Sequence, residues 1–199
     1  DVCSSDLSMA KESGVKKDII RKYIQYLESA FLIKIVTRTD DTAKRFQRQT
    51  TFKIYLTNPS LRCALFEPVK IIDGNIGDMI ETAIYSQWIP RNNHIAYANW
   101  KVGRTQGEVD LVGINDALQK PYWAVEIKWT DRFFDRPTEL SSLKYFMEKN
   151  QLQQALVTSI SQAGLKETSF GRLLFIPSAC YAYTVGENTL RQAKKSFGL

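Results

Sequence analysis

The segment GEVDLVGINDALQKPYWAVEIKW (residues 107–129) decides the reading of this chain, because it sets charges inside two β-rich runs. Val109, Leu111 and Val112 surround Asp110, while Trp123, Val125, Ile127 and Trp129 alternate around Glu126 and Lys128. Alternation of this kind predicts two strands. Residues two apart on a strand share a face, so Glu126 and Lys128 point the same way. Charges flanked by residues that prefer burial need partners, or they serve chemistry. A salt bridge between neighbouring strands, with Lys128 neutralising Asp110 or Glu126, meets that need as directly as a catalytic role does.

Outward from this segment, IGDMIETAIYSQWI carries Ile76, Met79, Ile80, Ala83, Ile84 and Trp88 at helical spacing and puts Glu81 on the same helix. Strands are predicted at about 94–100, 107–114 and 121–129, then a helix opened by Pro137 and running to about Asn150, then strands at 153–159 and 172–183. DRFFD (131–135) reads as a loop packed by its phenylalanines. Before the DGN link at 73–75, a short helix ends at Gly14, and a second carries Ile19, Ile20, Tyr23, Ile24 and Leu27 on one face. Lys16, Lys17, Arg21 and Lys22 lie on its other face. FLIKIV (31–36) and TFKIYL (51–56) are β-rich, with the polar TRTDDTAKRFQRQT between them, and NPSLRCALF (58–66) is a turn and short helix. Helix, turn, helix and a hairpin with a basic tip describe a winged helix. The expected division is therefore a winged-helix domain at 8–70 and a second domain at 71–199.

The 199 residues are 44% hydrophobic and 24% charged, an ordinary globular composition. The apolar runs are too short to span a bilayer. Cys3, Cys63 and Cys180 lie far apart and His94 is the single histidine, so a disulfide framework or a zinc site is not expected and a reducing cytoplasm is the default. His94 itself reads as a surface or strand-edge residue. The net charge of +6 is uneven: residues 1–70 hold 13 Lys/Arg against 8 Asp/Glu, residues 71–199 hold 14 against 13. A basic front half points to a polyanionic partner or to a solvated surface. DVCSSDL (1–7) is the in-frame reading of a widely used sequencing adapter, so these residues are expected to be foreign to the natural protein and to pack against nothing.

Helix, three strands, helix, strand, with acids on the second and third strands, resembles the order of the PD-(D/E)xK restriction-endonuclease-like fold. The resemblance reaches Glu81 on the first helix, Asp110 on the second strand, and Glu126-Ile127-Lys128 on the third. It implies an α/β nuclease-like core in which Glu81, Asp110 and Glu126 ligate Mg²⁺ or Mn²⁺. Lys128 then positions the attacking water or offsets charge on the phosphorane.

A longer resemblance covers roughly residues 8–180: RKYIQYLESAFLIKIV (21–36), KIYLTNPSL (53–61), GDMIETAIYSQW (77–88), NWKVGRTQGEVDLV (99–112) and WAVEIKW (123–129). These pieces are similar to the C-terminal region of a bacterial and archaeal group of AAA-type ATPases, in which an ATPase domain precedes a winged helix and a nuclease-like domain. Asn58 and Ser60 depart from the Asp and Gly frequent in that group. The resemblance implies DNA as partner, self-association through an ATPase domain preceding Ser8, and ATP bound only by that domain, since no Gly-rich phosphate loop occurs here. No membrane partner is implied. Relatives in the wider class keep the fold as a binding or assembly module, so an inactive nuclease-like plus winged-helix module stays open beside a metal-dependent nuclease acting on DNA. A plain winged-helix regulator would leave the four polar positions unused. Contact of Lys16, Lys17, Arg21 and Lys22 with phosphates stands beside their being a solvated helix face. Trp100 and Trp129 are expected to pack rather than to stack on bases.

Overall fold

The protein is described by a computed structural model over residues 3–4, 6–44, 51–70, 74–89, 95–115 and 117–197. The basic tip of the hairpin (45–50) and His94 lie outside these residues.

Helices α1 (Asp6–Ser13) and α2 (Lys17–Ser29) are joined through Gly14, whose φ of 69° suits a residue without a Cβ. Strands β2 (Ile33–Thr39) and β3 (Phe52–Leu56) form an antiparallel hairpin, and a two-residue β1 (Cys3–Ser4) pairs with β3. The expectation that residues 1–7 pack against nothing therefore fails for Cys3–Ser4. Asn58 supplies the turn before α3 (Ser60–Leu65), its Oδ1 accepting the Ser60 N–H at 2.9 Å and the Ser60 hydroxyl at 2.6 Å.

Helix α4 (Ile76–Trp88) leads into the meander β4 (Ile95–Val102), β5 (Thr105–Asn115) and β6 (Lys120–Glu126). A short helix α5 (Arg132–Asp135), a 3-10 turn (Pro137–Glu139) and α6 (Ser141–Asn150) precede β7 (Gln154–Ser159), β8 (Gly164–Thr168) and β9 (Gly171–Pro177). Helix α7 (Ser178–Phe197) closes the described chain. DRFFD is thus a turn of helix rather than a loop, with Phe133 and Phe134 packed on the core as expected. The predicted strand 172–183 stops at Pro177, where α7 begins. Tyr181 and Val185, one helical turn apart, bury together, which outweighs the β-forming character of YAYTV.

The strands form one nine-stranded mixed sheet, mostly antiparallel, in the order β1-β3-β2-β4-β5-β6-β7-β9-β8. Parallel pairs occur at β2–β4, β6–β7 and β7–β9. The β2–β4 pair, Arg38 opposite Tyr97 and Thr39 opposite Ala98, carries the sheet across residue 70. Residues 8–70 and 71–199 are consequently joined through one sheet instead of being separated there. On one face, Ala98, Val109, Ala124, Val157 and Leu173 pack against Leu143, Phe146 and Met147 of α6. On the other, Tyr55, Tyr97, Leu111 and Val125 pack against Ile84, Tyr85 and Trp88 of α4 and Tyr181 and Val185 of α7. Helix α2 is less enclosed than its periodicity implies: Ile24 is buried, but Ile19, Tyr23 and Leu27 are each at least 40% exposed. Trp100 is buried on Tyr145 and Phe146, a packing residue as expected.

Candidate functional site

Asp110 stands at a break in register. Ala96 pairs with Val112 and Ala98 with Val109, so Asp110 and Leu111 together oppose Tyr97. Two residues against one make a β-bulge, which re-aims a side chain out of strict alternation. The faces agree with this: Val109 and Val112, three apart, both enter the α6 core, while Leu111 enters the other. Asp110 Oδ2 accepts the backbone N–H of Ile127 at 2.7 Å. Beyond Glu126, side chains replace the strand ladder: Thr158 Oγ1 accepts the Lys128 N–H at 2.8 Å and donates to the Lys128 carbonyl at 3.0 Å. The Ser178 hydroxyl donates to the same carbonyl at 3.3 Å.

These constraints bring Asp110, Glu126 and Lys128 together. Lys128 Nζ lies 2.7 Å from Glu126 Oε1 and 3.6 Å from Asp110 Oδ2. Both carboxylates therefore converge within reach of one cation, and in this conformation that cation is the ammonium of Lys128. Glu126 is buried, and its Oε2 has no hydrogen-bond partner among the described residues.

Glu81, brought in by α4, joins a second group. Lys53 Nζ sits 2.9 Å from Glu81 Oε1 and 2.6 Å from Glu108 Oε1, and the Tyr55 hydroxyl donates to Glu81 Oε1. Tyr55 stacks on Tyr85 with ring centroids 3.9 Å apart, and the Tyr85 hydroxyl donates to the Asp110 carbonyl. Asn99 donates to Glu108 Oε2 at 2.8 Å. The site is thus an acid cluster (Glu81, Glu108, Asp110, Glu126) threaded by two lysines.

Its titration follows from burial and crowding. Burial, then the charge of Asp110, push the Glu126 carboxyl up to about 8 against the opposing pull of Lys128. Burial and then Asp110 also raise Glu81, while Lys53 and Tyr55 oppose that. For Lys53, burial favours the neutral amine, but Glu81, Asp110 and Glu108 together hold the ammonium above the usual lysine range. Lys128 is raised in the same way, Asp110 and Glu126 outweighing burial.

Carboxylates alone form an oxygen donor set suited to Mg²⁺ or Mn²⁺. The unpartnered Glu126 Oε2 fits such a set, because a buried acceptor needs a donor or a cation. Among the described residues, however, no three Asp, Glu, His or Cys side chains converge closely enough to hold a metal ion, so an ion at Asp110 and Glu126 requires Lys128 to yield its position between them. Lys16, Lys17, Arg21 and Lys22 lie on α2 and its N-cap, an element that contributes no side chain to the acid cluster described above; Lys16, Arg21 and Lys22 are exposed and Lys17 half-buried.

Sequence reasoning missed Lys53, Tyr55 and Glu108. The signal for Lys53 was the one that drew attention to Lys128: a charge inside a β-rich run, here TFKIYL.

Fold and site define a mixed α/β protein whose sheet carries a buried acid–lysine cluster. A family model described as a domain of unknown function (DUF8612) matches residues 5–70, the part that supplies α2 and the Lys53 hairpin. No curated protein and no solved structure matches the chain. No described helix is long and apolar enough to cross a membrane.

Proposed function

We propose that this chain is the C-terminal part of an AAA-type ATP-binding protein and carries a metal-dependent PD-(D/E)xK nuclease-like domain that hydrolyses DNA phosphodiesters. The observation that carries this reading is the grouping of Asp110, Glu126 and Lys128 at a β-bulge between adjacent strands, with Glu81 approaching from α4. Bulges re-aim side chains beside active sites, and strongly shifted acids in company with a lysine are a signature of such sites.

Asp110, Glu126 and Glu81 are the residues that would hold Mg²⁺ or Mn²⁺. A bound ion supplies a polarised phosphoryl oxygen and a more acidic water. Lys128, partly exposed where the other three are more enclosed, holds the attacking water or offsets charge that develops on the phosphorane. Residues 8–70 read as a winged helix whose basic α2 face (Lys16, Lys17, Arg21, Lys22) engages the DNA backbone. Self-association and ATP binding belong to the ATPase domain of the resembling group. A cytoplasmic setting agrees with Cys63 and Cys180 being free thiols.

A second reading is favoured by one specific contact, the bridge that Lys128 makes to both acids. In it, the module is catalytically inactive and serves nucleic-acid or protein binding. The test is cleavage of labelled single- and double-stranded DNA with Mg²⁺, Mn²⁺ or a chelator, for the wild type, Asp110→Asn and Glu126→Gln. Metal-dependent cleavage that both variants lose supports the nuclease. Retained DNA binding without cleavage under any ion supports the inactive module.

A further inference from the structure

The sheet face that packs on α4 and α7 is left partly bare toward β8. There Val125, Leu156, Leu174 and Leu165 stand opposite one another on β6, β7, β9 and β8, an apolar row four strands wide. Tyr181 and Val185 of α7 join the core that holds Val125 and Leu156, whereas Leu174 and Leu165 are 42% and 57% exposed. Between α7 and this row lies a cavity of about 420 Å³, a size that takes small molecules. Two residues back along the strands, the same face carries Trp123 on β6 and, in register, Gln154 on β7 and Arg172 on β9. Trp123 stacks on Trp88, so one end of the cavity is walled by indoles. The other end is polar. Arg172 lines it, and its guanidinium makes no ion pair among the described residues. Glu167, the cross-strand neighbour of Arg172 on the edge strand, is not part of the lining.

An aliphatic floor, an indole wall and one guanidinium beside an amide, two strand spacings or about 10 Å from that wall, outline a small amphiphile with a single anionic head. We propose that this groove binds a free medium-chain fatty acid, its carboxylate on Arg172 and Gln154 and its chain laid over Leu174 and Leu156 toward Trp123. A guanidinium presents two parallel N–H donors that match a carboxylate. A protein segment fits less well. A stable protein interface needs about 800 Å² from each side, and of the exposed large apolar side chains only Leu165 and Leu174 belong to this groove. The groove shares no residue with the acid cluster, so it stands independently of the nuclease reading.

The probes are decanoate, 1-decanol and acetate, each titrated into the whole chain by isothermal calorimetry, with decanoate kept below the concentration at which it forms micelles. Decanoate binds. Acetate, the head without the chain, does not. Decanol, the chain without the charge, binds about 10-fold more weakly or worse, as expected for losing charge-assisted hydrogen bonds. Arg172→Gln brings decanoate down to the affinity of decanol and leaves decanol unchanged. Leu174→Gln, which sets an amide in the apolar floor, weakens both. Both side chains are exposed, so melting temperatures stay near wild type. If Leu174→Gln does not fold, Arg172→Gln decides alone. A wild type that does not bind decanoate overturns the proposal. Decanoate binding that neither variant weakens overturns it too, because the ligand then sits elsewhere. So does an Arg172→Gln that lowers decanoate and decanol equally, because the charged head is then not what the groove recognises.

Discussion

Asp110 accepts the backbone N–H of Ile127 across 2.7 Å, so a side chain expected to serve chemistry also ends a strand. Carboxylate repulsion taken alone would make Asp110→Ala nearly neutral for the ion-free protein. The Ile127 bond makes it costly, by about 1–3 kcal/mol for a buried donor left unsatisfied. Asp110→Asn keeps an acceptor oxygen and loses only the charge. Denaturant unfolding in chelator should therefore rank wild type and Asp110→Asn close together with Asp110→Ala well below. Equal stability of the two variants would refute the structural role.

Glu126 makes ion-free stability fall with rising pH. Its folded carboxyl titrates at about 8 against an ordinary value of 4.5. Between those values the folded state holds a proton that the unfolded chain has released, so stability is full below about pH 4.5 and is lost as pH rises toward 8. Melting in chelator from pH 5 to 8 should show this decline, and Glu126→Gln should flatten it. A variant as steep as wild type would assign the decline to another group.

The basic face of α2 has a salt signature if it binds DNA. Changing Lys16, Lys17 and Lys22 to Ala should weaken binding alike for different sequences and reduce the slope of log affinity against log salt by about one unit per lost phosphate contact. Fluorescence anisotropy at several salt concentrations reads both quantities. Unchanged affinity and slope would leave this face as solvated surface.

Gly113 has no room for a side chain. A Cβ built there overlaps the indole of Trp123, its cross-strand partner on β6. Gly113→Ala must displace a ring that stacks on Trp88 at 5.1 Å, and should destabilise the protein by about 1–3 kcal/mol or more. Thermal melting checks this, and a neutral result would mean that the indole rotates away freely.

Much of this arrangement was legible in the chain. The alternation around Glu126 and Lys128 located β6, and the apolar stripe of residues 76–88 located α4 with Glu81 on it. The bulge was not read, because residues 107–114 were taken as a plain strand and nothing local says which residue a break in register would re-aim. The parallel β2–β4 pair was not legible, because it depends on contacts nearly 60 residues apart and on no turn chemistry. Lys53 was missed with it: while the hairpin is read as belonging to a separate domain, a lysine in it has no reason to meet Glu81. The start of α7 was read as strand, a stretch in which Tyr181 and Tyr183 carry β preference, which tertiary packing overrode.

Pairing β2 to β4 also dictates an order of events while the chain is being made. The hairpin leaves the ribosome first, carrying Lys53 toward a carboxylate partner on Glu81 that is translated 28 residues later, a delay of roughly a few seconds at ordinary elongation rates. During that interval the β2 edge is an unpaired template for another nascent chain. Interior charge pairing then waits for the carboxylates of Glu81 and Glu108, and a product ending near residue 70 leaves the β2 edge open and Lys53 without either partner.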